Sequence, residues 1–422
     1  MENAIKDWRG RSYCPGPVPA DRARMFRLAL AAMAVIAPLQ YGYAALLARD
    51  AGGLTLLAVW IACQAAGALP ALHLVRRGRL RVRACLAAGA ALSSLGLATA
   101  ALTSPGPIAL AGYALLGGLG AGLVYGVCGE VVSSWYPERP AARVGLITGA
   151  FGYGAVPLLL WTGIAPGATS AAFLVSAVLA AAVIGLAARE LRLPPARWWP
   201  DDVDPRSHAL DAARLRTSPE AVKQFGLAQA VRTRTLPALA LLLTCAGAVS
   251  VFDVIVVAGT GAWGALALLV ALNGAGRSVA VRASERFGRR RVLAAVFAAL
   301  ALGQILLAVA VQNASAVSAR GESSVGSPLL WLGAVAAGLG GGAFYPLLAS
   351  LVRELFGTER ATEIHAVVYS AKAVAGAVAA VLALVALTAP GAALLAAAAL
   401  AALPALATPR LRIPGLPVTI PL

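Results

Sequence analysis

Two cations stand where so apolar a chain offers little to hold them. Lys372 lies within VVYSAKAVAGAV, residues 367–378, and Arg277 within LNGAGRSVAV, residues 272–281; neither stretch contains an acid. Read as helices, these stretches put Lys372 ten residues beyond Thr362 and Arg277 eight residues before Glu285. At the helical rise those separations are roughly 15 Å and 12 Å, about mid-depth in a hydrocarbon core of about 30 Å. Each buried cation costs about 2.5–3.5 kcal/mol to insert. At that depth neither side chain can easily snorkel to water. A structural ion pair would need a carboxylate at the same level. Asp253 falls near the outer face, 16 residues after Pro237, and Glu130 falls near the inner face, five residues before Trp135. Ionisable residues inside spans mark functional sites by default, so the chemistry expected here is capture of an anion from solution.

The polar residues around them are read with a packing alternative beside each. Tyr125 and Tyr345 occupy equivalent places in two related segments, described below, and can hydrogen-bond a carboxylate or simply pack. Tyr41 and Gln64 are polar positions inside apolar blocks and join the candidate binding set. His365 lies seven residues before Lys372, on the same face of one helix, and is the candidate for carrying a proton.

Positioning these groups requires membrane-spanning elements, and the composition supplies them. The chain of 422 residues is 60% hydrophobic and 13% charged, far from a soluble mixture. Its apolar residues fall into blocks of about 20, the length that crosses a bilayer. Twelve are expected, near 26–47, 54–75, 84–103, 107–134, 142–163, 167–188, 236–256, 260–282, 291–312, 328–353, 362–386 and 391–408. Leu, Ala and Gly dominate them, which indicates helices rather than barrel strands. The expected organisation is an N-tail (1–25), a six-helix bundle (26–188), a linker (189–235) in which Trp198 and Trp199 are read as marking the membrane interface, a second six-helix bundle (236–408) and a C-tail (409–422). The polar first 25 residues argue against a cleaved signal peptide.

The net charge of +17 raises the question of nucleic acid. Its placement answers it. Basic residues crowd the N-tail, the connections after spans two (Arg76, Arg77, Arg79, Arg81, Arg83), four, eight and ten, the linker and the C-tail. The opposite connections hold only Arg49 and Arg320. This asymmetry is the positive-inside pattern and predicts that both termini are cytoplasmic, in a cell or inner membrane. The basic surface is expected to meet anionic lipid, and no basic–aromatic motif suggests nucleic acid. Five cysteines and three histidines show no metal-ligand or disulfide spacing. GxSxG, Walker and HExxH motifs are absent, so neither an enzyme nor a cofactor is expected.

The chain also repeats itself. GLGAGLVYG at 118–126 is answered by GLGGGAFYP at 338–346, each in the fourth span of its half. RRGRLRVR at 76–83 is answered by ERFGRRRV at 285–292. Related halves imply a site between them at mid-membrane. The glycines 118, 120, 122, 338, 340, 341 and 342 are read as close-packing positions, since small residues let helices approach.

Glu285-Arg286-Phe287-Gly288-Arg289-Arg290 resembles the (D/E)-R-x-G-R-R signature of the major facilitator superfamily. The first copy, Val75-Arg76-Arg77-Gly78-Arg79, lacks the acid. Within the superfamily four patches are similar to the oxalate/formate antiporter-like family: the glycine–tyrosine pattern of span four, Trp135-Tyr136-Pro137-Glu138-Arg139, Asn273-Gly274-Ala275-Gly276-Arg277 and Tyr369-Ser370-Ala371-Lys372. His365-Ala366 departs from that family's aromatic–glycine pair. The resemblance implies a twelve-helix secondary transporter in which Arg277 and Lys372 bind the carboxylates of a small organic anion. It also implies that Glu285, Arg286, Gly288 and Arg289 latch helix ends in one conformation. Arg76, Gly78 and Arg79, the acid-less copy, fit orientation by positive charge alone. Exchange is the expected mode, from a monomer. Proton-coupled symport and drug or metabolite efflux are the alternatives.

Overall fold

With no water to bond, the backbone of an apolar block must satisfy its own N–H and C=O groups, and helices do so. The structure, a computed structural model, describes residues 4–8, 10–47, 51–214, 221–318 and 327–415. Arg9, Arg49, Arg216 and Arg320, part of the charge pattern above, lie outside the described residues. Twelve helices are long and apolar enough to span a membrane: Arg22–Leu46, Leu54–Arg76, Val82–Leu102, Pro107–Trp135, Pro140–Ile164, Pro166–Glu190, Thr235–Gly259, Trp263–Phe287, Arg289–Asn313, Pro328–Phe356, Ala361–Thr388 and Pro390–Arg410. They are called the first to twelfth spans. Together they form the major facilitator fold of two six-helix bundles.

The expected blocks match these spans closely, with one correction. The eighth span runs on to Phe287, so Glu285 and Arg286 are helical rather than part of a basic loop. A single residue, Gly288 at φ 87°, turns the chain into the ninth span at Arg289. Glycine alone tolerates that left-handed backbone without strain.

Within each half the fourth element is wedged between the second and third, and the repeated glycines permit it. A Cβ on Gly118 would meet the Trp60 carbonyl oxygen at 2.7 Å, and one on its counterpart Gly338 would meet that of Leu269 at 2.6 Å. A Cβ on Gly120 would meet Ser93 N at 2.6 Å, and one on Gly340 would meet Leu300 N at 2.8 Å. Between the halves, the second span packs on the eleventh and the fifth on the eighth. Far from the basic ends the halves are shut: a Cβ on Gly376 would meet Ile61 at 3.0 Å.

The tail and linker are more ordered than their polar, proline-rich composition suggests. Ile5–Lys6 pairs antiparallel with Ser12–Gly16, which pairs parallel with Trp198–Pro200. Trp198 and Trp199, read from the sequence as interface anchors, are buried in this sheet, against Trp135 and Tyr13 respectively. The neighbouring helix Pro205–Arg214 starts at Asp204. The Ser207 hydroxyl and the amides of Ser207 and Arg206 donate to that carboxylate and hold it below the usual range. Arg22 caps the arrangement, stacked 3.9 Å over the Tyr136 ring and paired with Glu138 at 2.6 Å.

Candidate functional site

Two breaks in helical regularity place the site. Pro38 has no N–H to donate, and the first span passes there into a wide π-helical stretch, Pro38–Gly42, whose five residues are all buried. This stretch carries Gln40 and Tyr41 into the interface between halves. In the eleventh span the helix ends at Ser370 and restarts at Lys372. The Thr244 hydroxyl lies 3.4 Å from the Ala371 carbonyl at the break, as a second donor beside the Ala375 amide.

Lys372 is 4% exposed and Arg277 1%. The Lys372 ammonium donates to Gln40 Oε1 at 3.0 Å and to Gln64 Oε1. Arg277 donates to the Thr148 carbonyl at 2.7 Å, to Asn273 Oδ1 at 3.2 Å and to the Tyr41 hydroxyl at 3.4 Å. Every one of these acceptors is neutral. Both cations flank one ring: Tyr345 lies 5.1 Å from the Arg277 guanidinium carbon and 5.8 Å from the Lys372 nitrogen. Phe151 and Tyr369 complete the aromatic wall around Lys372, at 5.7 Å and 5.8 Å. Such cation–π contacts are worth up to about 2 kcal/mol when desolvated, well short of a counter-ion.

The pseudo-symmetry extends to the ligands. Gly122 lies against Gln64 and its counterpart Gly342 against Asn273; a Cβ at either position would overlap the partner. These glycines seat the fourth and tenth spans against Gln64 and Asn273, two of the three residues whose side-chain amides hold the cations. Gly342→Ala should therefore displace Asn273, cost about 1–3 kcal/mol of stability by overpacking, and weaken anion binding. Thermal unfolding in detergent checks this. Gly185→Ala, where an added Cβ meets nothing within 4 Å, should not lower the melting temperature.

A cavity of about 1120 Å³, counting its open mouth, runs from the tyrosines to the basic ends of the fourth, fifth, tenth and eleventh spans. Tyr125, Tyr345 and Tyr369 form its inner end. Tyr125 stacks on Tyr369 with centroids 5.7 Å apart, and Tyr345 lies 6.2 Å from Tyr369. Arg277 and Lys372 sit behind this layer, outside the lining. A solute arriving from the basic face meets tyrosine hydroxyls first and the cations only after the layer parts.

All six residues read as substrate-binding, namely Arg277, Lys372, Tyr41, Gln64, Tyr125 and Tyr345, meet in one cluster. The sequence reading missed Gln40, Asn273, Thr148 and Tyr369, although Asn273 and Tyr369 stand inside the quoted motifs. His365 lines the cavity nearer the basic face, its ring 6.1 Å from that of Tyr369 and its Nδ1 buried without a hydrogen-bond partner among the described residues. The break at Ala371 and the tyrosine layer separate it from Lys372, so the two do not share the continuous face expected of them.

The charged motifs also depart from expectation. Arg289 pairs with Glu354 of the tenth span at 2.9 Å in this conformation. Glu285 and Arg286 are exposed, as are Gly78 and Arg79 of the first copy. The acid-less copy does more than orient the chain. Arg76 donates to Thr362 at 2.5 Å and Arg77 pairs with Glu363 at 3.2 Å, joining the N-terminal half to the start of the eleventh span. Among the described residues no group of histidine, cysteine and acidic side chains could hold a metal ion.

No family model matches the chain. The uncharacterized 38 kDa protein in the 23S RNA operon of Thermoproteus tenax is 30% identical over 293 residues, 69% of this chain and 67% of that protein. Among solved structures, the xylose transporter XylE from E. coli, in an inward open conformation, superposes with a TM-score of 0.65 at 14% identity, covering 92% of this chain and 96% of that one. A POT family transporter in complex with 5-aminolevulinic acid gives 0.63 at 13% identity, over 92% and 96% of the two chains. The nucleoside transporter NupG gives 0.62 at 14% identity, over 92% and 99%.

Proposed function

We propose that this chain, which belongs to one family with the Thermoproteus tenax 38 kDa protein and has the major facilitator fold, carries a small organic anion across a membrane by alternating access. One observation carries the reading: two cations buried between the halves with only neutral acceptors around them. A buried charge without a counter-ion is costly, and a substrate carboxylate at each cation would relieve that cost. The resemblance to the oxalate/formate antiporter-like family points to the same chemistry, with a mono- or dicarboxylate as cargo. The neighbouring solved structures are described as transporters of a nucleoside and of xylose and as a complex with 5-aminolevulinic acid, so the fold itself selects no substrate. Exchange is the favoured mode. Proton symport is the second reading, favoured by the unpartnered ring nitrogen of His365 on the cavity wall.

A thermal-shift panel in detergent tests the substrate class. A carboxylate that binds the folded state at 100 times its Kd stabilises it by about 2.7 kcal/mol. Short dicarboxylates should raise the melting temperature, while their diamides should not. Stabilisation by the diamides alone would refute anion recognition.

The reading includes an orientation, with both termini and the 190–234 segment cytoplasmic. A cysteine replacing Ser207 should be shielded from an impermeant thiol reagent added outside. One near Gly321, which lies outside the described residues, should react. The opposite labelling would invert the topology.

A further inference from the structure

The seventh span holds a carboxylate that the cation site does not use. Asp253 is 0% exposed, as is Gln304 of the ninth span. Gln304 Nε2 donates to Asp253 Oδ1 at 2.6 Å. Among the described residues, Asp253 Oδ2 and Gln304 Oε1 are both buried and neither has a partner. Of the charged groups on spans packed against the seventh, Arg277 and Lys372 lie at mid-depth, held by the acceptors described above. The others, His365 among them, lie toward the basic ends. Among the described residues none of them hydrogen-bonds to Asp253, whose bond is to Gln304.

An ionised carboxylate accepts at several lone-pair sites and loses several kcal/mol when buried with so few donors. One proton accounts for all these observations. With Oδ2 protonated, the acid donates to Gln304 Oε1 while Gln304 Nε2 donates to Oδ1, and both orphaned oxygens are satisfied. We propose that Asp253 and Gln304 form a proton-binding site: a neutral acid closed onto an amide by two reciprocal hydrogen bonds.

The pair is connected to the cation site. Ser250, one helical turn before Asp253, accepts from Asn273 Nδ2 at 3.0 Å, and Asn273 Oδ1 holds Arg277 at 3.2 Å. Holding its proton, Asp253 leaves the charge of the two cations for the substrate to neutralise. Losing it at alkaline pH, Asp253 places a negative charge one helical turn from the Ser250–Asn273–Arg277 chain of hydrogen bonds and weakens the hold of the cation site on an anion. This second step rests on the anion-transport reading; the protonation does not.

Infrared spectra of the purified protein at pH 7, without substrate, test the site itself. Wild type should show the carbonyl stretch of a neutral carboxylic acid, shifted by deuteration. Asp253→Asn should lose this band, and Gln304→Leu should move it to higher frequency as the bond to the amide is lost. A wild-type spectrum with no acid band, or a band unmoved by Gln304→Leu, overturns the proposal whether or not Asp253→Asn folds. In exchange assays the substrate KM should rise severalfold toward alkaline pH in wild type, and Asp253→Asn should flatten that rise. A rise that persists in Asp253→Asn refutes the link to Arg277. Failure of anion transport altogether would leave the infrared result standing, so the two readings fail separately.

Discussion

Arg277→Gln and Lys372→Gln are each expected to abolish carboxylate binding and transport while leaving folded protein in the membrane. The magnitude follows from burial. Truncating one member of a desolvated charge pair costs about 2–5 kcal/mol, which at 1.4 kcal/mol per decade is a loss of roughly 30-fold to several thousandfold. The fold should tolerate either change, because each removes a cation that is costly to bury. Glutamine at 372 can still donate to Gln40 or Gln64, the neutral acceptors that Lys372 already uses. Glutamine at 277 keeps a donor near the Thr148 carbonyl. Uptake into proteoliposomes and thermal shift with the same anion measure both halves of the expectation. Wild-type uptake by both variants would remove the two cations from the site.

The second large effect concerns coupling. Reorienting the empty carrier means keeping both cations desolvated with no anion, at a cost of several kcal/mol. A bound dicarboxylate removes that barrier. Labelled uptake into vesicles preloaded with unlabelled substrate should therefore exceed uptake into empty vesicles by at least tenfold. Collapsing an imposed pH gradient with an ionophore should change the exchange rate little. Accumulation in empty vesicles driven by the pH gradient alone would sink the exchange reading and make His365, on the cavity wall, the first residue to replace.

The spans were legible because hydropathy over 20 residues is a summed signal that no single contact can override. The cations were legible for the opposite reason: one charge in an apolar block is too costly to be incidental. The repeated glycines were read as packing positions, and close approaches at Gly118 and Gly338 are what the helices make of them. Gln40 and Asn273 were not picked out, because an amide in a span announces no partner. Gln40 reaches Lys372 only through the wide turn after Pro38 and from a residue 332 positions away. The pairing of Arg77 with Glu363 was hidden in the same way, since each half holds one member. Trp198 and Trp199 misled because an aromatic pair beside a span fits a membrane surface as well as a small folded sheet. The sheet depends on pairing with an N-tail almost 190 residues earlier, which local composition does not encode.

The two halves share a fold but not a backbone. The first span widens into π-helix at Pro38–Gly42, and the fourth does so over Leu110–Gly117. Their counterparts, the seventh and tenth spans, are uninterrupted α-helix over Thr235–Gly259 and Pro328–Phe356. Wide turns exchange the tight i→i−4 ladder for longer, less regular bonding. The Tyr113 hydroxyl ties one such turn to the other through the Leu39 carbonyl at 2.8 Å. Compliance is thus unevenly distributed among these four spans: the first and fourth have a tied pair of soft joints, and the seventh and tenth are stiff struts. In deuterium-exchange mass spectrometry, amides of 38–42 and 110–117 should exchange ahead of 247–252 and 331–338, and Tyr113→Phe should widen that gap. If the halves move against each other, the joints at 38–42 and 110–117 are where the backbone would give first.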